Sequence, residues 1–118
     1  MTNTVAWFEV GTADPDAARG FYGDLFGWSF ARQEGVDYTP IVIDGQQVGG
    51  IAGTGGTSPS YAVFYVIVPD VQASCDEAKR LGGQVVSDPL TTPDGLTFAH
   101  ITDPAGSRFG VFTPPTSG

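Results

Sequence analysis

Ala6-Trp7-Phe8-Glu9-Val10, followed by Asp14, decides the fold, because the pattern returns as Ala62-Val63-Phe64-Tyr65-Val66 followed by Asp70. The copies lie 56 positions apart, and seven of the 22 positions from 6 to 27 keep the same residue at that offset. A repeat with only two copies predicts two fused supersecondary modules, since a solenoid needs at least about three units to bury its faces. Paired modules predict a shared cavity, where function should be sought.

The composition predicts one compact domain over residues 1–118. Its hydrophobic content of 41% is enough for a buried core. Thirteen acidic against five basic residues give a formal net charge of −8, which disfavours nucleic acid and anionic membranes as partners. No apolar run approaches the roughly 18 residues of a membrane span, and Met1 to Thr4 lead straight into a strand pattern. We therefore expect a soluble, cytoplasmic protein.

The first module, about residues 3–53, is predicted to follow the order β-α-β-β-β. A strand over Val5–Val10 precedes Asp14, which is a typical helix N-cap, and Pro15 stands at the first helical position. The helix carries an apolar stripe at helical spacing and ends at Gly27. The short strands expected after it are Trp28–Gln33, Tyr38–Ile43 and Gln46–Ala52.

The second module, about residues 61–113, repeats this order after a flexible linker at about 54–60. A helix is predicted from Asp70 to Leu81. Cys75 has apolar helical neighbours at positions 71, 78 and 81, which favours a small core residue over a nucleophile. The predicted strands are Tyr61–Val68, Gln84–Ser87, Leu96–Thr102 and Ser107–Phe112.

Several motifs together resemble the vicinal oxygen chelate superfamily, which includes glyoxalase I, methylmalonyl-CoA epimerase, extradiol dioxygenases and the bleomycin and fosfomycin resistance proteins. They are Trp7-Phe8-Glu9-Val10 before Asp14, Phe21-Tyr22, Leu25-Phe26-Gly27-Trp28, Leu81-Gly82-Gly83 and Asp103-Pro104-Ala105-Gly106. The resemblance implies an α+β fold of two tandem βαβββ modules, whose mixed sheets curl into a cup or open barrel with helices outside. It also allows a homodimer.

Metal ligands in this family come from the first and last strands of each module. The matching positions in this chain are Trp7, Val63, Gly110 and about Gly49. None of these side chains supplies the nitrogen or oxygen donors that a divalent ion requires. We therefore predict no metal ion of the family's kind and no cofactor.

The alternation of side chains along strands predicts which residues line the cup in place of metal ligands. Aromatic and apolar walls with few convergent polar groups are typical of a small-molecule site. The candidate ligand-binding residues are Trp7, Glu9, Gln47, Val63, Tyr65, Phe98, His100 and Arg108.

Each of these candidates also has a purely structural interpretation. Trp7 and Phe98 could fill a closed barrel centre. Glu9 could be a base with a raised pKa or an ion-pair partner of Arg108, and the ion pair is favoured. Tyr65 could be a hydrogen-bonded core residue. His100 could be a half-exposed imidazole or a general base.

Our leading hypothesis is a metal-free member of the superfamily that holds a small organic molecule in an aromatic cup. It would either sequester the molecule or act on it with help from Glu9, Tyr65 or His100, and Arg108 would anchor an anionic group. One alternative is a metal-dependent lyase, isomerase or dioxygenase with unexpected ligands such as Glu9 and His100. Another is an interaction module whose cup is filled.

Overall fold

The computed structural model describes residues 3–31 and 37–115, which form helices and strands in the predicted order. The elements are β1 (Thr4–Thr12), α1 (Pro15–Phe26), β2 (Ser29–Phe30), β3 (Tyr38–Ile43), β4 (Gln46–Gly53), β5 (Tyr61–Ile67), α2 (Val71–Arg80), β6 (Gln84–Thr91), β7 (Thr97–Thr102) and β8 (Arg108–Thr113). The α+β class and the βαβββ order of each module are confirmed. No helix in the described ranges has the length and apolar character needed to cross a membrane.

The repeated aspartates begin the two helices, as predicted. The Asp14 carboxylate accepts a hydrogen bond of 3.1 Å from the Ala17 N–H, and Asp70 accepts the same bond from Ala73. Each bond satisfies one of the backbone donors that a first helical turn leaves without an internal partner. Gly27 ends α1 with φ of 75°, a left-handed conformation that glycine adopts without strain.

Residues Trp7–Ala62 form one compact unit with a mixed sheet in the order β2-β3-β4-β1. Strands β1 and β4 are parallel, and the other neighbours are antiparallel. The Phe8 ring lies 5.8 Å from Trp28, which stacks on Tyr22 of α1 at 5.5 Å. No residue of α1 is fully buried, and more than half of the Phe21 and Leu25 side-chain surface is exposed. The predicted apolar stripe of α1 therefore lies largely at the surface.

The second compact unit joins residues 3–6 to the described chain from 63 onward, and its mixed sheet has the order β5-β8-β7-β6. Strands β5 and β8 are parallel. Helix α2 packs on this sheet through Val71 and Cys75, and Cys75 is only 1% exposed. Cys75 is thus a core residue, as predicted, although Leu81 is exposed rather than packed beside it.

The strand bounds agree with the sequence-based prediction to within two residues at each end, except in β2 and β6. Strand β6 runs four residues beyond Ser87, to Thr91, and its pairing with β7 is irregular around Pro89. A proline lacks the N–H that a regular ladder needs, and it is tolerated at an edge strand or a bulge. Strand β2 covers only Ser29–Phe30 of the predicted Trp28–Gln33, whose last two residues lie outside the described ranges.

Candidate functional site

A chain of three polar side chains crosses the sheet of the second module. Tyr65 on β5, Gly110 on β8 and His100 on β7 are direct neighbours in the strand register. A Cβ atom at position 110 would lie 2.8 Å from Cζ of Tyr65 and closer still to two other ring atoms. Glycine therefore leaves room for the Tyr65 ring to cross β8. The Tyr65 hydroxyl reaches Nε2 of His100 at 2.5 Å.

Arg108 completes this chain and determines which nitrogen of His100 carries the hydrogen. Its Nε donates to Nδ1 of His100 at 3.0 Å, and its Nη2 also contacts Nδ1. A guanidinium group has only donors, so Nδ1 must hold a lone pair and the hydrogen of the neutral ring lies on Nε2. Arg108 therefore donates to His100, and His100 donates to the oxygen of Tyr65.

His100 is neutral at physiological pH in this arrangement. Burial lowers its pKa, and the positive charge of Arg108 lowers it further, to about 4. With Nδ1 bonded to Arg108 and Nε2 already protonated, the ring has no lone pair available to accept a proton from a substrate. The geometry thus favours a positioning role for His100 over the general-base role considered from the sequence.

The surroundings of this chain are mainly apolar. Tyr65, His100 and Val63 are each less than 10% exposed. The Phe98 ring lies 6.1 Å from His100, and Phe112 lies 6.3 Å from Tyr65. Four of the five second-module candidates therefore belong to one neighbourhood, namely Tyr65, Phe98, His100 and Arg108. Val63 is a buried residue of β5, the strand that carries Tyr65. Low exposure strengthens their electrostatic interactions because little water screens them.

The first module carries a second polar cluster, which is centred on Glu9. The Tyr61 hydroxyl donates to Glu9 at 2.6 Å, and Nε1 of Trp7 donates to the Tyr38 hydroxyl at 2.8 Å. Burial raises the pKa of Tyr38 and the nearby Glu9 carboxylate raises it further, so Tyr38 remains protonated. Glu9 is only 8% exposed, and these polar contacts offset the cost of burying it.

Glycines make room for tyrosine rings in this cluster as well. A Cβ at position 11 would come within 2.6 Å of Cδ2 of Tyr61, and one at position 50 would come within 2.5 Å of Cε2 of Tyr38. Gly50 lies beside Glu9 in the register, as Gly110 lies beside Tyr65. Glu9 and Tyr65 are equivalent positions of the two modules, and each has a glycine of the last strand of its module as its neighbour.

Gln47 and Gly49 lie outside the two polar clusters. Gln47 is exposed near the start of β4, away from the buried Glu9 cluster. A Cβ at Gly49 would meet Phe8, on the α1 side, so Gly50 and not Gly49 is the counterpart of Gly110. The pairing of β3 with β4 also has a register shift between Ile41 and Val42. Glu9 belongs to the compact unit Trp7–Ala62, and Arg108 belongs to the other compact unit. The ion pair predicted between them therefore stays a prediction.

Sequence reasoning missed Tyr38 and Tyr61, although both contribute to the Glu9 cluster. The sequence did contain a feature that could have pointed to them, namely glycines at strand positions 11, 50 and 110. Glycine within a strand often marks the close approach of another group. In this chain the group is a tyrosine ring each time.

The residues at the family's metal positions do not fit a metal ion. Trp7 uses its indole nitrogen as a donor to Tyr38, and Val63 is apolar. Gly50 and Gly110 lack side chains, and tyrosine rings fill the space beside them. No group of three or more His, Cys, Asp or Glu side chains in residues 3–31 and 37–115 is arranged to hold a metal ion.

Comparison with known proteins identifies the class. The model of the Glyoxalase/Bleomycin resistance protein/Dioxygenase superfamily matches residues 4–111, and the chain belongs to this superfamily.

Its relatives include the "Putative glyoxylase CFP32" of Mycobacterium tuberculosis (strain CDC 1551 / Oshkosh), which is 32% identical over 96% of this chain and 45% of that protein. The "Anthracycline biosynthesis protein DauV" of Streptomyces sp. (strain C5) is 35% identical over 94% of this chain and 42% of that protein. The chain therefore spans less than half the length of these curated relatives.

Solved structures share the fold. Methylmalonyl-CoA epimerase from Mycobacterium tuberculosis has a TM-score of 0.66 and 16% identity, and the match covers 98% of this chain and 90% of the epimerase. The Mn(II)-bound glyoxalase from Novosphingobium aromaticivorans has a TM-score of 0.60 and 20% identity, over 95% of this chain and 39% of that one.

Proposed function

We propose that this chain binds a small organic anion in the aromatic cup predicted from the sequence, without a metal ion of the family's kind. It either holds the molecule or acts on it with acid–base help from its own side chains. The observation that carries this proposal is the hydrogen-bonded chain from Arg108 through His100 to Tyr65.

In this proposal Arg108 binds the negatively charged group of the ligand. Its guanidinium is half-buried and lies against a neutral imidazole. A guanidinium presents donors in a planar fork that matches a carboxylate or phosphate. An anionic group on the ligand is therefore the best match for Arg108.

Tyr65 supplies a hydrogen-bonding hydroxyl whose direction is fixed. Because Nε2 of His100 donates to the Tyr65 oxygen, the hydrogen of that hydroxyl points away from His100. In this proposal the hydrogen is directed to an oxygen atom of the ligand, and Tyr65 acts as the acid if the bound molecule reacts. His100 and Arg108 then position Tyr65, and Glu9 remains the candidate base of the first module.

The named ligands of similar structures are compatible with an anion. One structure with a TM-score of 0.59 is methylmalonyl-CoA epimerase in complex with methylmalonyl-CoA, a molecule that carries a carboxylate. At 14% identity the similarity to that enzyme supports the fold alone. The feature shared with the proposed ligand is a carboxylate.

The test compares a carboxylate with its uncharged counterpart. We expect 2-naphthoate to bind more tightly than 2-naphthamide in isothermal titration calorimetry, and we expect Arg108→Gln to remove the preference. Arg80→Gln is the matched control, since the Arg80 guanidinium forms an exposed ion pair with Glu77 on α2. Equal binding of both compounds by the unchanged protein, or a preference that survives Arg108→Gln, would contradict the proposal.

Metal dependence is tested on untagged protein. We expect elemental analysis to find less than stoichiometric metal, and naphthoate binding to persist after dialysis against EDTA. Stoichiometric Mn, Fe, Ni, Co or Zn, together with loss of binding after chelation, would favour the metal-dependent alternative.

A further inference from the structure

The first module has a cleft whose lining, apart from Gly11 and Tyr61, consists of residues outside the two polar clusters. It lies between the first two turns of α1, the end of β1 and residues 60–62, and its volume is about 520 Å³. The side chains that give it its character are Val10, Ala17, Ala18, Phe21, Tyr22 and Tyr61. We propose that this cleft is a second small-molecule site, which takes a planar aromatic molecule without negative charge.

Small residues in the sequence create the cleft. Ala17 and Ala18 stand where α1 faces the end of β1, and alanine side chains leave the space open. On the β1 side, Gly11 allows the Tyr61 ring to lie flat along the strand, where any Cβ would collide with it. The Tyr61 hydroxyl is fixed by its bond to Glu9, so this wall of the cleft is held in place.

The aromatic walls favour a flat ligand. Phe21 and Tyr22 lie edge to face with ring centroids 5.3 Å apart, and Tyr61 contributes a third ring. Phe21 is 60% exposed. A bound ring would remove part of this surface from water and would gain offset or edge-to-face contacts.

Electrostatics disfavour anions at this site. Among the described residues that line the cleft, Asp14 alone is charged at neutral pH, and no lysine, arginine or histidine contributes to the lining. The formal net charge of the chain is −8, which adds a repulsive background for a negative ligand. The cleft thus selects neutral or cationic aromatics, the opposite of the anion assigned to Arg108.

The experiment uses three naphthalene probes that share the same ring and carry a neutral, a cationic and an anionic substituent: naphthalene-2-methanol, naphthalen-2-ylmethanamine and 2-naphthoate. We expect the alcohol and the amine to shift backbone amide resonances of α1 and residues 60–62 in ¹⁵N-labelled protein. We expect 2-naphthoate to leave those resonances unchanged. Dissociation constants follow from the titrations.

Variants at the surface of α1 make the test specific. Phe21→Ser should weaken binding of the alcohol and amine by about tenfold, because one aromatic wall is lost. Ala17→Leu should reduce it at least as much by filling the cleft, and its exposed position makes misfolding improbable. Leu25→Ser is the matched control, since Leu25 is 57% exposed on the same helix but does not line the cleft, and it should change affinity by less than about twofold.

Several results would overturn the proposal. One is the absence of α1 shifts with every probe up to millimolar concentration, and another is an equal effect of Leu25→Ser and Phe21→Ser. A change in sedimentation on Phe21→Ser, without probe binding, would mean that the aromatic surface joins two copies of the chain. Arg108→Gln should leave cleft binding intact, so failure at this site and failure of the anion site can be told apart.

Discussion

Replacing Gly110 by alanine tests whether the glycine truly makes room for Tyr65. The added Cβ would lie 2.8 Å from Cζ of Tyr65 and closer to Cδ2 and Cε2, whereas ordinary contact begins at 3.4 Å. The ring must therefore move by more than half an ångström. Its hydroxyl would then be drawn away from His100, to which it is bonded at 2.5 Å.

Three contributions set the expected loss of stability. Overpacking in a filled interior costs about 1–3 kcal/mol. Weakening the hydrogen bond to His100 costs about 1 kcal/mol more, and the reduced backbone entropy of alanine in the unfolded chain offsets about 0.5–1 kcal/mol. The last two contributions nearly cancel, so Gly110→Ala should lower the free energy of unfolding by about 1–3 kcal/mol.

Urea unfolding followed by circular dichroism measures this change, with Gly20→Ala as the matched control. Gly20 lies in α1 and a Cβ there would meet nothing within 4 Å, so this variant should be stabilised by about 0.5–1 kcal/mol. In a Tyr65→Leu background, the cost of Gly110→Ala should fall by about 1 kcal/mol or more because the ring is gone. The reasoning is refuted if both glycine variants are stabilised, or if removing the ring leaves the cost of Gly110→Ala unchanged.

Three further predictions concern the polar clusters and the core. The pKa of His100 is lowered from 6.5 to about 4, so between these pH values the unfolded chain binds more protons than the folded chain. The free energy of unfolding should therefore fall as the pH drops from 6.5 to 4. In parallel urea titrations, His100→Gln should lose this part of the pH dependence. Tyr61→Phe should lower the free energy of unfolding by about 1.5–3 kcal/mol, because it removes a hydrogen bond to the buried Glu9, and an unchanged urea midpoint would contradict that bond. Cys75 is 1% exposed and burial raises its pKa, so a thiol reagent should modify it only in urea; rapid labelling of the folded protein would place it outside the core.

Much of the fold was predictable from the sequence because local signals determine it. Asp14 and Asp70 cap their helices through bonds to backbone groups only three residues away, and Gly27 ends α1 by its own conformation. Such contacts depend on neighbours in the chain and hardly on tertiary packing. The alternation in β1 and β5 likewise placed Glu9 and Tyr65 at buried positions.

The candidate site was predictable only in part. Tyr65, His100 and Arg108 were selected as facing inward, and the structure brings them into one hydrogen-bonded chain. Their roles were not predictable. The position of the hydrogen on His100 follows from the contact of Arg108 with Nδ1, and this contact depends on how the side chains of β7 and β8 are oriented. The family position placed at about Gly49 falls next to Gly50, which is the glycine beside Glu9 in the strand register.

The sequence by itself determined the two-module fold and the lack of metal donors at the family's positions, since both follow from residue identity at repeated spacings. Only the tertiary structure decided which groups the glycines accommodate. Gly11, Gly50 and Gly110 each make room for a tyrosine ring. Tyr61 lies 50 positions from Gly11 in the chain, and Tyr65 lies 45 positions from Gly110. Contacts between residues so far apart depend on strand register and packing, which no local pattern specifies.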